Sequence, residues 1–107
     1  MPPSRLDILL KMLSEDPSDA FTRYAIALEY AKIQAPEATT YFQTLLEAHP
    51  NYIPTYYQAA QWFADQNQPE KALEIYRIGI DKAREQNEVL ALRELQSAYE
   101  RLSFELE

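Results

Sequence analysis

Reactive chemistry in this chain would have to come from few residues. His49 is the only histidine and there is no cysteine, so thiolate nucleophiles, thiolate metal sites and disulfides are excluded. His49 stands directly before Pro50, at a candidate helix end, where a cation meets the negative end of the helix dipole. That position makes it a helix-terminal residue rather than a general base. Carboxylates are plentiful, as in Glu15, Asp16 and Asp19, or Glu70 and Glu74. An acid–base pair needs two such groups held in environments that push their pKa values apart. These lie at helix starts or on exposed helix faces, where negative charge is stabilised or solvated. Glu74 with Arg77, Asp81 with Arg84 and Arg101 with Glu105 have the three- or four-residue spacing of ion pairs on a wet helix face, worth roughly tenths of a kcal/mol each. No HExxH, no Asp-x-Asp calcium loop and no Cys/His cluster occurs. The expectation is a protein that is not an enzyme, with no catalytic residue, metal site or cofactor.

What remains is recognition, and the elements that would carry it. At 107 residues the chain is read as one domain. A single glycine argues against an all-β fold, whose tight turns consume glycine, and leaves no Gly-rich phosphate loop. The formal charge of −7 excludes nucleic acid as a partner, since phosphate binding needs a cationic face. It favours neutral or basic partners weakly. The N-terminus lacks the pattern of a signal peptide. No apolar run approaches the ~20 residues of a membrane span. A cytoplasmic setting without membrane contact is the expectation.

The prolines set a period. Pro17 and Pro50 are 33 apart, as are Pro36 and Pro69. The same shift maps Tyr24 to Tyr57, Ala27 to Ala60, Tyr30 to Phe63 and Ala31 to Ala64. Beyond Pro69 one residue is added, so Ala38 maps to Ala72 and Phe42 to Tyr76. Self-similarity at this period means stacked supersecondary units. Apolar residues at helical spacing give two helices per unit. Six helices are expected, at about 4–15, 19–34, 36–48, 53–66, 69–85 and 88–105, with neighbours antiparallel because the connections are short. Pro36 ends one helix and opens the next. Pro50 ends another, and Pro54 falls in the first turn of the fourth.

The pattern resembles the tetratricopeptide repeat, with an aromatic, Leu-Gly and Tyr on the first helix, then Ala, an aromatic and a terminal Pro on the second. The second unit supplies Tyr56, Ala59, Ala60, Phe63, Ala72 and Tyr76; the first supplies Ile26, Ala27, Tyr30, Ala38, Phe42 and Pro50. Departures are Arg23 at the opening aromatic, Ala27 and Ala60 for glycine, Ala59 for leucine, Leu45 for alanine and Arg84 for the terminal proline. The last predicts a long fifth helix. The resemblance implies an all-α fold, a right-handed α–α superhelix of about six antiparallel helices. Its parts are a half repeat over 4–17, repeat one over 18–50, repeat two over 51–84 and a C-terminal capping helix over 88–105.

It also implies a concave groove lined by the first helix of each unit, which binds a peptide or helix of a partner protein. The groove positions carried across are Phe21, Tyr24, Leu28 and Lys32, then Pro54, Tyr57, Gln58, Gln61 and Asp65. Tyrosine suits such a surface, with a large ring, a polar tip and little rotamer entropy to lose. Two alternatives stay open. Tyr24 and Tyr57 pack on each other or on the last helix, and Phe21 lies in the core. The Lys, Asn and Arg clamp with which some members hold a chaperone's C-terminal carboxylate is missing, so no chaperone-tail binding is expected. A second function class is a homodimer or assembly module. The first helix is apolar on more than one stripe (Leu6, Ile8, Leu9, Leu10, Met12 and Leu13), and an unfinished helical stack exposes an apolar end face.

Overall fold

The computed structural model describes residues 1–107. It holds six helices and no strand: α1 (Arg5–Glu15), α2 (Ala20–Lys32), α3 (Glu37–Ala48), α4 (Pro54–Asp65), α5 (Pro69–Glu85) and α6 (Val89–Glu105). None is long and apolar enough to cross a membrane. The chain divides into two compact units, Met1–His49 and Pro50–Glu107.

Local chemistry accounts for the helix ends. Ser4 opens α1 with a capping box: the Asp7 N–H donates to Ser4 Oγ at 3.1 Å, and the Ser4 N–H donates to the Asp7 carboxylate at 3.3 Å. Asp19 caps α2 by accepting from the Thr22 N–H at 3.3 Å. Pro54 and Pro69 each occupy the first helical position, where the missing N–H costs nothing. Pro36 stands one residue earlier than expected, as the residue before α3 rather than its first member. Helices α2, α4 and α5 end in left-handed residues Gln34, Asn67 and Asn87. In each the next N–H reaches back five residues: Ala35 to the Tyr30 carbonyl, Gln68 to Phe63 and Glu88 to Ala83, all at 2.9 Å. These are Schellman closures in which Gln or Asn takes the place usual for glycine. Helix α3 instead stops at His49 before Pro50. With Arg84 where the repeat would put a proline, α5 runs 17 residues against 12 for α3.

In the first unit α2 packs between α1 and α3. Leu9, Ala25 and Ile26 form a buried cluster, with Leu6, Leu10, Leu13, Tyr30 and Tyr41 against it. Only one stripe of α1 is buried. Ile8 and Met12 remain 49% and 46% exposed. The shift of 33 maps Met12 to Leu45, which is buried; Met12 departs from it because α1 meets α2 alone within this unit. In the second unit α4, α5 and α6 pack against one another pairwise, around Tyr56, Phe63, Ile75, Tyr76 and Leu95. Ala27 and Ala60, the small residues of the two units, are both completely buried. Of the anticipated ion pairs on helix faces, Asp81–Arg84 forms at 3.6 Å. Arg77 turns away from Glu74 to lie over the Tyr99 ring, its Nη2 donating to Tyr99 Oη at 3.1 Å. Arg101 pairs with no carboxylate, Glu105 included.

Candidate functional site

Helix α4 carries Pro54, Tyr57, Gln58, Gln61 and Asp65 at offsets of 3, 4, 7 and 11 residues, which is one face of a 3.6-residue helix. Tyr56 and Tyr57 show how adjacent residues divide. Tyr56 is buried, and its hydroxyl donates to the Pro50 carbonyl. Tyr57 is half-buried. Its ring meets the Tyr76 ring edge-on, with centroids 6.2 Å apart and planes at 69°. Its remaining surface lines an open pocket of about 320 Å³ shared with Arg93, Glu94, Ser97 and Arg101 of α6. Tyr57 thus packs on α5 and faces solvent at the same time. Gln58 is half-buried on this face, while Pro54, Gln61 and Asp65 are exposed and outside the pocket wall.

The electrostatics of the pocket edge register on Tyr76. Burial raises its pKa above the ordinary phenol value. The neighbouring Tyr57 and the Asp65 carboxylate push the same way, and Arg101 opposes them. Asp65 and Arg101 therefore both project their charge onto this edge of the unit.

In the first unit, α2 presents Phe21, Tyr24, Leu28 and Lys32 at the equivalent offsets. Phe21 is 61% exposed, so its core alternative does not hold; it occupies the first turn of α2, beyond the stripe buried by α1 and α3. Tyr24 and Leu28 are half-buried. Lys32 is exposed and pairs with Glu29 at 2.9 Å, and Glu29 also takes Arg5 of α1 at 3.8 Å.

Four pocket residues were not anticipated: Arg93, Glu94, Ser97 and Arg101. The signal for them lies in the sequence. A shift of 36 carries Tyr57 to Arg93, Gln58 to Glu94, Gln61 to Ser97 and Asp65 to Arg101. The 33–34 period fails at this point because α5 is longer than α3, and the residue types change completely.

The charges around the pocket differ from those elsewhere. Arg5, Lys32, Lys82 and Arg84 pair with carboxylates. Arg23, Lys71 and Arg77 lie over the rings of Tyr41, Phe63 and Tyr99. Lys11, Arg93 and Arg101 have neither kind of partner. His49, the one histidine, is the half-buried end residue of α3 and lies outside the pocket. The pocket offers an aromatic wall, two guanidinium forks, a carboxylate and a hydroxyl.

No family model and no curated protein matches the chain. Solved structures do. The solution NMR structure of a tetratricopeptide repeat domain protein from Salinibacter ruber is 38% identical, over 81% of this chain and 89% of that one, with a TM-score of 0.77. A crystal structure of a tetratricopeptide repeat domain protein from the same organism is 35% identical over 79% and 97%, with a TM-score of 0.76. The TPR2B domain of yeast Sti1, in its complex with pHsp70, is 25% identical over 94% and 81%, with a TM-score of 0.85.

Proposed function

As a member of the tetratricopeptide repeat family, this chain is, we propose, a protein–protein interaction module that holds a peptide or helix of a partner without catalysis. The observation that carries the proposal is the half-buried Tyr57 beside the open α4–α6 pocket. A ring fixed at one edge by Tyr76 offers its other surface with little entropy left to lose. The Sti1 domain, solved in complex with pHsp70, lends the proposal support by likeness. The α2 face bearing Phe21, Tyr24, Leu28 and Lys32 is proposed as a further contact surface. The α2 and α4 positions where a carboxylate clamp would sit hold Tyr24, Leu28, Tyr57 and Gln58, so a chaperone tail is not the proposed ligand. A cytoplasmic setting suits the absence of cysteine.

The test is partner capture by the wild type, Tyr24→Ala and Tyr57→Ala, read by pull-down with mass spectrometry beside circular dichroism and thermal melting. Weakened capture with nearly unchanged helicity is expected. Tyr57→Ala should lose about 1–3 kcal/mol of stability, its aromatic pair together with the buried part of its ring. Collapse of stability in both variants would make these tyrosines core residues and end the proposal.

A second reading, self-association through α1, is favoured by the exposure of Ile8 and Met12 one turn apart. Light scattering across a concentration series decides it, and a mass that stays monomeric throughout counts against it.

A further inference from the structure

We infer that the α4–α6 pocket takes an extended segment bearing two acidic side chains four residues apart, with an apolar side chain midway between them. The inference rests on the groove function proposed above and adds the chemistry of the ligand.

The first ground is charge. The chain carries −7 overall, and its cations are mostly engaged with carboxylates or rings. Of those without a partner, Arg93 and Arg101 line the same pocket. An unengaged guanidinium presents a planar fork of donors matched to a carboxylate. Two of them on one wall of an otherwise acidic molecule mark where a carboxylate gains most. Glu94 in the same wall keeps the surface from being uniformly basic, which disfavours a polyanion such as nucleic acid. Its carboxylate and the Ser97 hydroxyl are instead suited to accept the backbone N–H groups of an extended chain.

The second ground is spacing. Arg93 and Arg101 are eight residues apart on one helical face, about 12 Å along α6. In an extended segment alternate side chains share a side, and residues four apart are separated by about 13 Å. Two acidic side chains at that interval therefore meet both arginines. The residue between them, on the same side, falls against Ser97 and the Tyr57 ring, where an apolar group is favoured. Leu90 and Phe104, 74% and 76% exposed, continue this face of α6 beyond the two arginines. The recognition groups are internal side chains, so no free C-terminus is required.

The experiment uses the full chain and two synthetic probes, acetyl-Ser-Glu-Thr-Leu-Thr-Glu-Ser-amide and the same peptide with both Glu replaced by Gln. Binding is followed by calorimetry and by the side-chain Nε–H signals of the arginines. At low salt the Glu peptide is expected to bind about tenfold more tightly than its Gln twin, from two partly exposed charge pairs. That margin should shrink as salt rises. Arg93→Gln and Arg101→Gln should each lose about threefold, and the double variant should lose the whole preference with its helicity intact. Equal binding of the two peptides overturns the acidic inference and leaves the groove proposal standing. A preference that survives in the double variant overturns it by placing the site elsewhere. Binding of the Glu peptide only when its C-terminal amide is replaced by a free acid overturns it in favour of a terminal carboxylate. If neither peptide binds, the inference is overturned, while Tyr57→Ala in the pull-down decides the groove proposal separately.

Discussion

The hairpins α2–α3 and α4–α5 reach the same packing with different residues. Ala27 and Ala60, Ala38 and Ala72, and Phe42 and Tyr76 are buried alike. The difference is a paired exchange of size. Where the second hairpin has Tyr56 and Gly79, the first has Arg23 and Leu45 at equivalent positions. A Cβ added to Gly79 would lie 2.6 Å from Tyr56 Cβ and 2.8 Å from its Cγ, so the base of the Tyr56 side chain comes this close only because position 79 has no side chain. In the first hairpin Leu45 is fully buried. Arg23 turns its guanidinium over the Tyr41 ring, 5.9 Å from the centroid, and Nη2 donates to the Pro17 carbonyl at 3.0 Å. A repeat of this kind preserves the filled volume between helices rather than the residue at any one position. A second difference is polar. Thr22 and Thr55 are equivalent and both buried. The Thr22 hydroxyl donates to Asp19, whereas the Thr55 hydroxyl has no hydrogen-bond partner in the protein. Tyr52 stands where Asp19 would be.

The comparison can be broken first at Tyr56. Tyr56→Ala should cost about 3–5 kcal/mol in urea unfolding, the range for deleting a buried aromatic. Arg23→Ala should cost less, since Arg23 is only half-buried and its Nε is buried without a hydrogen-bond partner. Next in size is Gly79→Ala, which should destabilise by about 1–3 kcal/mol through overpacking, reduced by up to about 1 kcal/mol of helix propensity. In a Tyr56→Gly background, which removes the Cβ at 2.6 Å as well as the ring, the same change should be harmless or stabilising, a coupling of at least about 1 kcal/mol in the double-mutant cycle. If Gly79→Ala stabilises the wild type, propensity alone governs the site and the size exchange is refuted.

The threonines give a smaller contrast with opposite signs. Thr55→Val removes an unpartnered buried hydroxyl and should gain about 1 kcal/mol. Thr22→Val breaks the contact with the capping Asp19 and should lose about 1 kcal/mol. Equal effects in thermal melts would erase the distinction between the two sites.

The smallest effect is alkaline. Burial raises the pKa of Tyr56 and, as its largest cause, that of Tyr76. Below about pH 10 both tyrosines are protonated, folded or unfolded, and the stability is whole. Above it the unfolded chain ionises first, so stability falls with rising pH until the folded phenols ionise too. Tyr30 of the first unit is also raised, through burial and then Tyr41, but the second unit holds two such groups. Phenolate absorbance followed beside unfolding should show the slope lessened in Tyr76→Phe. An unchanged slope would remove Tyr76 from the account.

The sequence alone settled what depends on spacing and backbone chemistry. Proline at a helix boundary acts through its own ring and missing N–H, so Pro17, Pro36, Pro50 and Pro69 located the hairpins without knowledge of any contact. The equivalence of Ala27 and Ala60, both fully buried, followed from the period. So did the separation of Tyr56 from Tyr57, since neighbours on a helix differ by about 100°. Tertiary packing alone decided the rest. Phe21 and Met12 have core-type side chains, yet only the number of helices meeting α1 and α2 determines that they stay exposed. The role of Arg93, Glu94, Ser97 and Arg101 depends on α6 lying beside Tyr57, a contact between residues distant in the chain. The 33–34 period no longer points to that contact once the long α5 has stretched the shift to 36.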